Sequence, residues 1–273
     1  LLEKLQEETR QIVILIDEYD YQLTSNINND ELYKQFQQKI KRIYANIKDK
    51  FAIKFLGITG VTRLKDVAIF SVGSDINDIT NSSAYSQMIG FTRDEIKKYY
   101  IDYLKLASSY ENNCNVDEVT DDNLESLLDR LAQNYDGYCF DEDYEKKVFS
   151  TWSVNTFLQS VVDKKKVQFG EYWYDNGGLP SILVNYLKTH ELNIFEYLDK
   201  DKFLKVSSDD FKNPTALTTI NQNVLMCQTG YLTLRSDLNK TSTVALGIPN
   251  GEIYKALNRL LAKNIFKGNT DIT

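Results

Sequence analysis

The sequence predicts an α/β protein in which a parallel sheet is followed by a helical C-terminal unit. Three observations lead to this fold class: the five aliphatic residues Ile12–Ile16, a second apolar run at residues 51–58, and an amphipathic segment between them. A strand, a helix and a strand at this spacing form a βαβ unit with parallel strands and a right-handed crossover. At 273 residues, the chain is long enough for two domains.

The first strand is expected over residues 12–17 and to be buried on both faces, because its run shows no polar alternation. Residues 1–10 are expected to be the end of a helix. Residues 51–60 are expected to form the second strand and to end in a turn marked by Gly57 and Gly60. Apolar residues that recur every three or four positions predict a helix between the strands, with one apolar face formed by Leu32, Phe36, Ile40, Ile43 and Ile47.

Helices dominate the prediction beyond residue 90. Thr92 and Glu95 form a capping-box pattern, and the helix that they introduce is expected to reach about Tyr110. The polar segment 111–122 then predicts a border between an N-terminal domain, residues 1–110, and a C-terminal domain, residues 111–273. Near the end of the chain, a helix, two short strands around a polar turn and a last helix predict a winged-helix-like module.

Composition limits the classes of function. The net charge of -7 and the pI near 5.0 argue against a surface for unspecific binding of nucleic acid or anionic lipid. The longest aliphatic run has five residues and the first ten residues are polar, so we expect neither a membrane span nor a signal peptide, and a cytoplasmic location. Three widely spaced cysteines and the single His190 offer no zinc-ligand set.

The strongest candidate site follows the first strand, where Asp17, Glu18 and Asp20 stand within four residues. Ligands of open α/β sheets collect at the carboxyl ends of the strands. An aliphatic strand that ends in Asp-Glu is also the Walker B pattern of ATPases, in which the Asp holds Mg²⁺ and the Glu orients and deprotonates the attacking water. The pattern alone does not separate this hypothesis from acids that merely lead the chain into solvent.

The second strand is followed by Thr59 and Arg63, which we expect at the same sheet edge. In an ATPase a polar sensor group at this position contacts the γ-phosphate. A plain turn formed by Gly57 and Gly60 is the alternative interpretation.

Eight segments, taken together, resemble the bacterial AAA-ATPase-like proteins, P-loop NTPases that are often followed by a PD-(D/E)XK nuclease domain. They occur in the family's order and cover most of the chain: VILIDEYD (13–20), LGITGVTRL (56–64), VAIFSVGSDINDIT (67–80), YSQMIGFTRDEI (85–96), NYDGYCF (134–140), YWYDNGGLPSIL (172–183), VLMCQTGYLTL (224–234) and VALGIPNGEI (244–253). The resemblance implies a partial P-loop NTPase core that uses ATP and Mg²⁺. The resemblance also implies that Asp17 is the magnesium-site acid, that Glu18 is the catalytic acid and that Thr59 is the sensor. Arg63 is a further candidate for this site.

Two features depart from the family pattern. The phosphate-binding loop G-x-x-x-x-G-K-[ST], which precedes the Walker B strand in the family, is absent from these 273 residues. We therefore do not expect them to hydrolyse ATP alone, and a first residue other than Met leads us to expect part of a longer chain. About twenty residues follow the GIPN segment, too few for a nuclease domain.

Other motifs favour structural interpretations. An E-x-K pattern at Glu145 and Lys147 is expected to lie in a charged loop rather than in a nuclease site, which would need paired strands around a metal. Asp136 and Gly137 are interpreted as a turn between core aromatic residues.

Two hypotheses of function remain. In the first, the chain is part of an ATPase whose Mg²⁺-dependent ATP binding and hydrolysis act as a conformational switch in the complete protein. In the second, it belongs to a non-catalytic regulatory or interaction protein that keeps the ATPase fold. A nucleotide is the expected ligand. A protein partner or self-association stays open, and nucleic acid or membrane contact is not expected.

Overall fold

A computed structural model describes residues 11–50, 53–63, 76–175, 180–188, 190–214 and 219–267. The helical end predicted for residues 1–10 lies outside these residues, as does part of the stretch after Arg63. The chain divides into two compact units. Unit 1 consists of residues 1–77, 180–191 and 207–229, and unit 2 consists of residues 78–179, 192–206 and 230–273.

The fold is a mixed α/β fold with a small parallel sheet and many helices. Its strands are β1 (Ile12–Ile16), β2 (Ile53–Ile58), β3 (Leu204–Ser207), β4 (Thr233–Leu234) and β5 (Thr243–Gly247). Its helices are α1 (Tyr21–Ser25), α2 (Asp30–Lys50), α3 (Arg93–Tyr99), α4 (Ile101–Asn112), α5 (Asp121–Tyr135), α6 (Thr151–Lys164), α7 (Tyr172–Asp175), α8 (Ser181–Tyr186), α9 (Ser208–Lys212), α10 (Gln222–Gln228) and α11 (Gly251–Lys267). Within the described ranges, no helix combines the length and the apolar character that crossing a bilayer would require.

Unit 1 contains the βαβ arrangement that the sequence predicts. Strands β1 and β2 pair in parallel, with Ile14 aligned to Leu56 and Ile16 to Ile58, and α2 lies between them in the chain. The apolar residues of α2 are buried mainly toward its C-terminal end, where Tyr44 is 7% exposed.

The prediction that β1 is buried on both faces is wrong. Val13 and Leu15 are 55% and 74% exposed, whereas Ile12, Ile14 and Ile16 are half-buried. In the described residues β1 has one neighbouring strand, and the face that carries Val13, Leu15 and Phe55 is open to solvent. The aliphatic run therefore has the alternating burial of a half-exposed strand, because burial depends on neighbours that the run itself does not specify.

Unit 2 has a helical core built by α3 to α6. Buried apolar side chains from these helices and the adjoining segment at Phe149 pack into one cluster, formed by Ile96, Leu104, Ala107, Leu124, Leu127, Leu128, Leu131, Tyr135, Phe149, Val154, Phe157, Leu158 and Val161. Helices α4 and α5 pack against each other across the polar segment 111–122. The first point along the chain at which the compact units are divided lies between residues 77 and 78, and the predicted division after residue 110 stays a prediction.

The capping box at the start of α3 is confirmed. The Glu95 amide donates to Thr92 Oγ1 at 3.2 Å, and the Thr92 amide donates to Glu95 Oε2 at 2.8 Å. The helix ends earlier than predicted, at Tyr99, and α4 begins at Ile101. At the break, the Tyr100 ring packs against Phe91 with centroids 5.5 Å apart.

Replacing Thr92 by Ala should lower the free energy of unfolding of unit 2 by about 1 kcal/mol, because the Glu95 amide loses its acceptor. Both tryptophans of the chain, Trp152 and Trp173, lie in unit 2, so urea unfolding followed by tryptophan fluorescence reports on this unit. Thr92→Ser keeps the acceptor oxygen and should stay close to the unsubstituted protein. A serine variant as unstable as the alanine variant would contradict the capping role.

The second sheet lies in unit 2 and has the strand order β3-β5-β4. Strands β4 and β5 are antiparallel, with Thr233 aligned to Gly247, and α11 follows them. These elements correspond to the predicted short strands and last helix. The predicted preceding helix is α10, which belongs to unit 1, so a winged-helix-like module is not confirmed.

Candidate functional site

The acids that follow β1 and the polar residues that follow β2 meet at one edge of the parallel sheet. The Thr59 amide donates to the Ile16 carbonyl at 2.8 Å, and the Tyr19 amide donates to the Thr59 carbonyl at 3.0 Å. Residues 17–20 and 59–62, here called the edge loops, therefore lie side by side. This edge is the carboxyl end of both strands, where ligands of α/β sheets bind.

Asp17, the predicted magnesium-site acid, and Thr59, the predicted sensor, form a hydrogen bond with each other. The Thr59 hydroxyl donates a hydrogen bond to Asp17 Oδ1. The Glu18 amide in turn donates to Thr59 Oγ1 at 3.4 Å. Asp17, Glu18 and Thr59 are all exposed, so a ligand in solvent can reach this group.

Glu18 has an unusual backbone conformation. Its φ is +51°, in the left-handed region that residues with a Cβ adopt infrequently. Contacts on both sides hold it there, since its amide bonds to the Thr59 side chain and its carbonyl accepts from the Tyr21 amide at 3.0 Å. Strained residues of this kind concentrate at functional sites, which makes Glu18 a candidate on geometry as well as on sequence.

Asp20, the third acid after β1, lies in a different environment from the other two. It is 1% exposed, and its carboxylate accepts from the Val61 amide at 3.1 Å, from the Thr62 amide at 2.6 Å and from the Thr62 hydroxyl. The sequence pattern predicts roles for Asp17 and Glu18 and none for Asp20. The three acids are adjacent and chemically alike, so their pattern carried no signal that one of them is buried.

Gly60 lets the edge loops approach each other closely. A Cβ at this position would lie 2.4 Å from Cε1 of Tyr19 and 2.8 Å from Oδ1 of Asp20. The Tyr19 hydroxyl also donates to the Thr62 carbonyl at 2.6 Å. Gly60 therefore has a packing role between two loops, which the interpretation as a plain turn does not include.

Arg63 follows the second edge loop directly and is half-buried. It stands four residues after Thr59, in the last described position before residues 64–75. Arg63 therefore lies next to the candidate site, as its predicted role at the sheet edge requires.

The donors at this edge fit a magnesium ion that is held through few protein ligands. Mg²⁺ prefers oxygen donors and is usually bound through one or two carboxylates, with waters and phosphate oxygens completing its octahedron. The exposed Asp17 offers such a carboxylate. In the described parts of the chain no three His, Cys, Asp or Glu side chains form a group that could hold a metal ion, so waters or phosphate oxygens would have to complete the octahedron.

Other segments that carry the resemblance form contacts inside unit 2. The Asn250 side-chain amide donates to the Asp136 carbonyl at 2.8 Å, and the Cys139 amide donates to Thr233 Oγ1 at 2.8 Å. Gly137 has φ +95°, and a Cβ there would lie 2.4 Å from the Pro249 carbonyl oxygen. These segments therefore hold the C-terminal part of unit 2 against the end of α5.

A buried glutamate makes further contacts between the C-terminal part of unit 2 and the helices before it. Glu252 is 1% exposed and accepts from the Ser153 hydroxyl at 2.7 Å and from the Trp173 amide at 2.9 Å. Burial raises the pKa of Glu252 to about 7, although these hydrogen bonds oppose the shift. The carboxyl group links the start of α11 to α6 and α7.

The E-x-K segment is a loop, as expected. The buried Asp141 carboxylate organises it by accepting from the backbone amides of Asp143, Glu145 and Lys146 at 2.9 to 3.2 Å. Lys147 lies over the Tyr144 ring, 4.9 Å from its centroid.

Sequence comparison bears on the part of the chain that contains the edge loops. Residues 1–70 match the sequence model of a family described as "Predicted AAA-ATPase". The resemblance to AAA-ATPase-like proteins is confirmed. The four predicted site residues all lie within the matched range: Asp17, Glu18, Thr59 and Arg63.

One curated relative of the chain is a protein of Azotobacter chroococcum mcd 1 described as "Uncharacterized protein in vnfD 5′region". It is 25% identical over 254 residues, and the match covers 92% of this chain and 42% of that protein. The chain thus spans less than half the length of this relative. No solved structure matches the chain at a significant level.

Proposed function

We propose that this chain is part of an AAA-ATPase-like P-loop NTPase in which Mg²⁺-dependent ATP binding and hydrolysis act as a conformational switch in the complete protein. The observation that carries the proposal is the hydrogen bond from the Thr59 hydroxyl to Asp17 at the carboxyl ends of two parallel strands. The family match over the same residues supports it.

Asp17 is proposed to hold the magnesium ion through its exposed carboxylate, which the Thr59 hydroxyl orients. When bound, the ion supplies positive charge that stabilises the phosphate oxygens. Glu18 is proposed to orient the attacking water and to accept its proton on the side-chain carboxylate. Thr59 is proposed as the sensor, and Arg63 as a cation that contributes to binding the phosphates.

The edge loops offer a way to couple a ligand to the rest of unit 1. Thr59 bonds to β1 through its amide, to Tyr19 through its carbonyl and to Asp17 through its hydroxyl. A change at Asp17 therefore reaches both edge loops through a single residue. Such a connection is what a nucleotide-dependent switch requires.

Replacing Glu18 by Gln in the complete native protein should lower the ATP turnover rate about 10² to 10⁴-fold, because the variant keeps the shape of the side chain but cannot accept the proton. Phosphate release with Mg²⁺-ATP measures the rate, and equilibrium binding of Mg²⁺-ATP should be retained. Glu31→Gln is a matched control, since Glu31 is an exposed acid in the same unit at the start of α2. Equal turnover by the Glu18 and Glu31 variants would refute the catalytic role.

A second candidate function is a non-catalytic regulatory protein that binds nucleotide without hydrolysing it. The absence of a G-x-x-x-x-G-K-[ST] loop from these 273 residues favours it. The same assay separates the two functions. Mg²⁺-ATP binding without turnover by the native protein would support the regulatory function, whereas turnover would exclude it.

A further inference from the structure

We propose that Asp20 is a positioning residue that holds residues 59–62 in place, so that the Thr59 hydroxyl stays on Asp17. The consequence for catalysis rests on the function proposed above. The proposal that Asp20 holds residues 59–62 rests only on contacts within this chain.

The carboxylate of Asp20 is committed to the second edge loop. It accepts three hydrogen bonds, from the amides of Val61 and Thr62 and from the Thr62 hydroxyl. Hydrogen bonds to a carboxylate are stronger than those between neutral groups, and a buried amide that loses its acceptor is costly. Since Asp20 is 1% exposed, water does not readily replace it as the acceptor.

The position of Asp20 in the chain suggests a different role, which the structure excludes. Asp20 directly precedes α1, and aspartate at that position usually caps a helix through its side chain. Here the side chain makes no capping hydrogen bond. The carboxylate instead bridges residues 41 and 42 positions further along the chain.

The effect of Asp20 reaches Thr59 through Gly60. Asp20 fixes Val61 and Thr62, and the Tyr19 hydroxyl fixes the Thr62 carbonyl. Gly60 then lies against the Tyr19 ring and Asp20 with no room for a side chain. Thr59, bonded to Ile16 and Tyr19 through its backbone, is thereby held from both directions, and its hydroxyl is left at Asp17.

The first test is amide hydrogen exchange in this chain, measured by NMR without any nucleotide. Asp20→Asn should accelerate exchange of the Val61 and Thr62 amides by about tenfold or more, because each loses a charged acceptor. Asp141→Asn is the matched control, since Asp141 is an equally buried aspartate that accepts backbone amides in unit 2. It should accelerate the Glu145 and Lys146 amides and leave Val61 and Thr62 unchanged.

Unchanged exchange of Val61 and Thr62 in the Asp20 variant would overturn the proposal. If that variant does not fold, Thr62→Val provides the test, because it removes one of the three hydrogen bonds and keeps the carboxylate. It should accelerate exchange of the Val61 amide by a smaller factor. Exchange as slow as in the unsubstituted chain would again count against the loop-holding role.

The second test asks whether Asp20 acts through Thr59. In the complete native protein, Asp20→Asn and Thr59→Val should each lower the ATP turnover rate, and the double variant should be no slower than Thr59→Val alone. If the double variant is instead slowed by the product of the two single effects on the turnover rate, Asp20 supports the fold generally. That result would overturn the positioning role. If the unsubstituted protein does not turn over ATP, the proposed function fails, and hydrogen exchange still decides whether Asp20 holds the loop.

Discussion

Replacing Phe157 by Ala is expected to lower the free energy of unfolding of unit 2 by about 3 to 5 kcal/mol. Phe157 is fully buried in the cluster of α3 to α6, where its ring stacks on Phe169 with centroids 5.0 Å apart and lies 6.0 Å from the Tyr135 ring. Removal of the ring loses its burial and leaves a cavity among rings that cannot all move to fill it. Urea unfolding followed by tryptophan fluorescence measures the loss.

Phe195→Ala is the matched control for this prediction. Phe195 belongs to the same unit but is 81% exposed, so its truncation should change the free energy of unfolding by no more than about 0.5 kcal/mol. Equal losses in the two variants would show that the aromatic cluster is not the stabilising core of unit 2.

The stability of unit 2 is expected to fall by about 3 kcal/mol between pH 4.5 and pH 7 through Glu252 alone. Burial raises the pKa of this carboxyl from an ordinary 4.5 to about 7. Between these values the folded state holds a proton that the unfolded state has released, so a rise in pH favours unfolding. The contribution is fully present below pH 4.5 and is lost as the pH passes 7.

Glu252→Gln should remove this part of the pH dependence. A glutamine can still accept from the Trp173 amide, and its NH₂ group can donate to the Ser153 hydroxyl, which in turn can donate to Ser150, 3.0 Å away. Unfolding followed by tryptophan fluorescence at several pH values measures the slope, with Glu145→Gln, an exposed acid of the same unit, as the control. A Glu252 variant with the slope of the unsubstituted protein would contradict the assignment.

Local patterns predict the elements of this fold better than they predict the surroundings of those elements. Continuous apolar runs identify β1 and β2, apolar residues that recur every three or four positions identify α2, and the capping box at Thr92 identifies the start of α3. These signals act within a few residues. The exposure of Val13 and Leu15 depends on what lies beside β1, and the break at Tyr100 accompanies its packing on Phe91. Neither can be read from neighbouring sequence.

Some features of the candidate site can also be predicted from the sequence, whereas others depend on residues far away in the chain. The rule that parallel strands end at one edge predicts that Asp17 and Glu18 meet Thr59, and the structure brings these residues together. The different role of Asp20 arises from amides 41 and 42 residues away, which no spacing rule indicates. The strained backbone of Glu18 is likewise visible in the structure and not in the sequence.

The assembly of unit 1 from three separated stretches has a consequence for synthesis on the ribosome. Asn28 donates to the Asn185 carbonyl, a partner made 157 residues later, which at about 5 to 20 residues per second is a delay of roughly 8 to 30 s. The edge loops join partners only 41 to 43 residues apart. A nascent chain can therefore form the candidate site well before the unit that contains it can close.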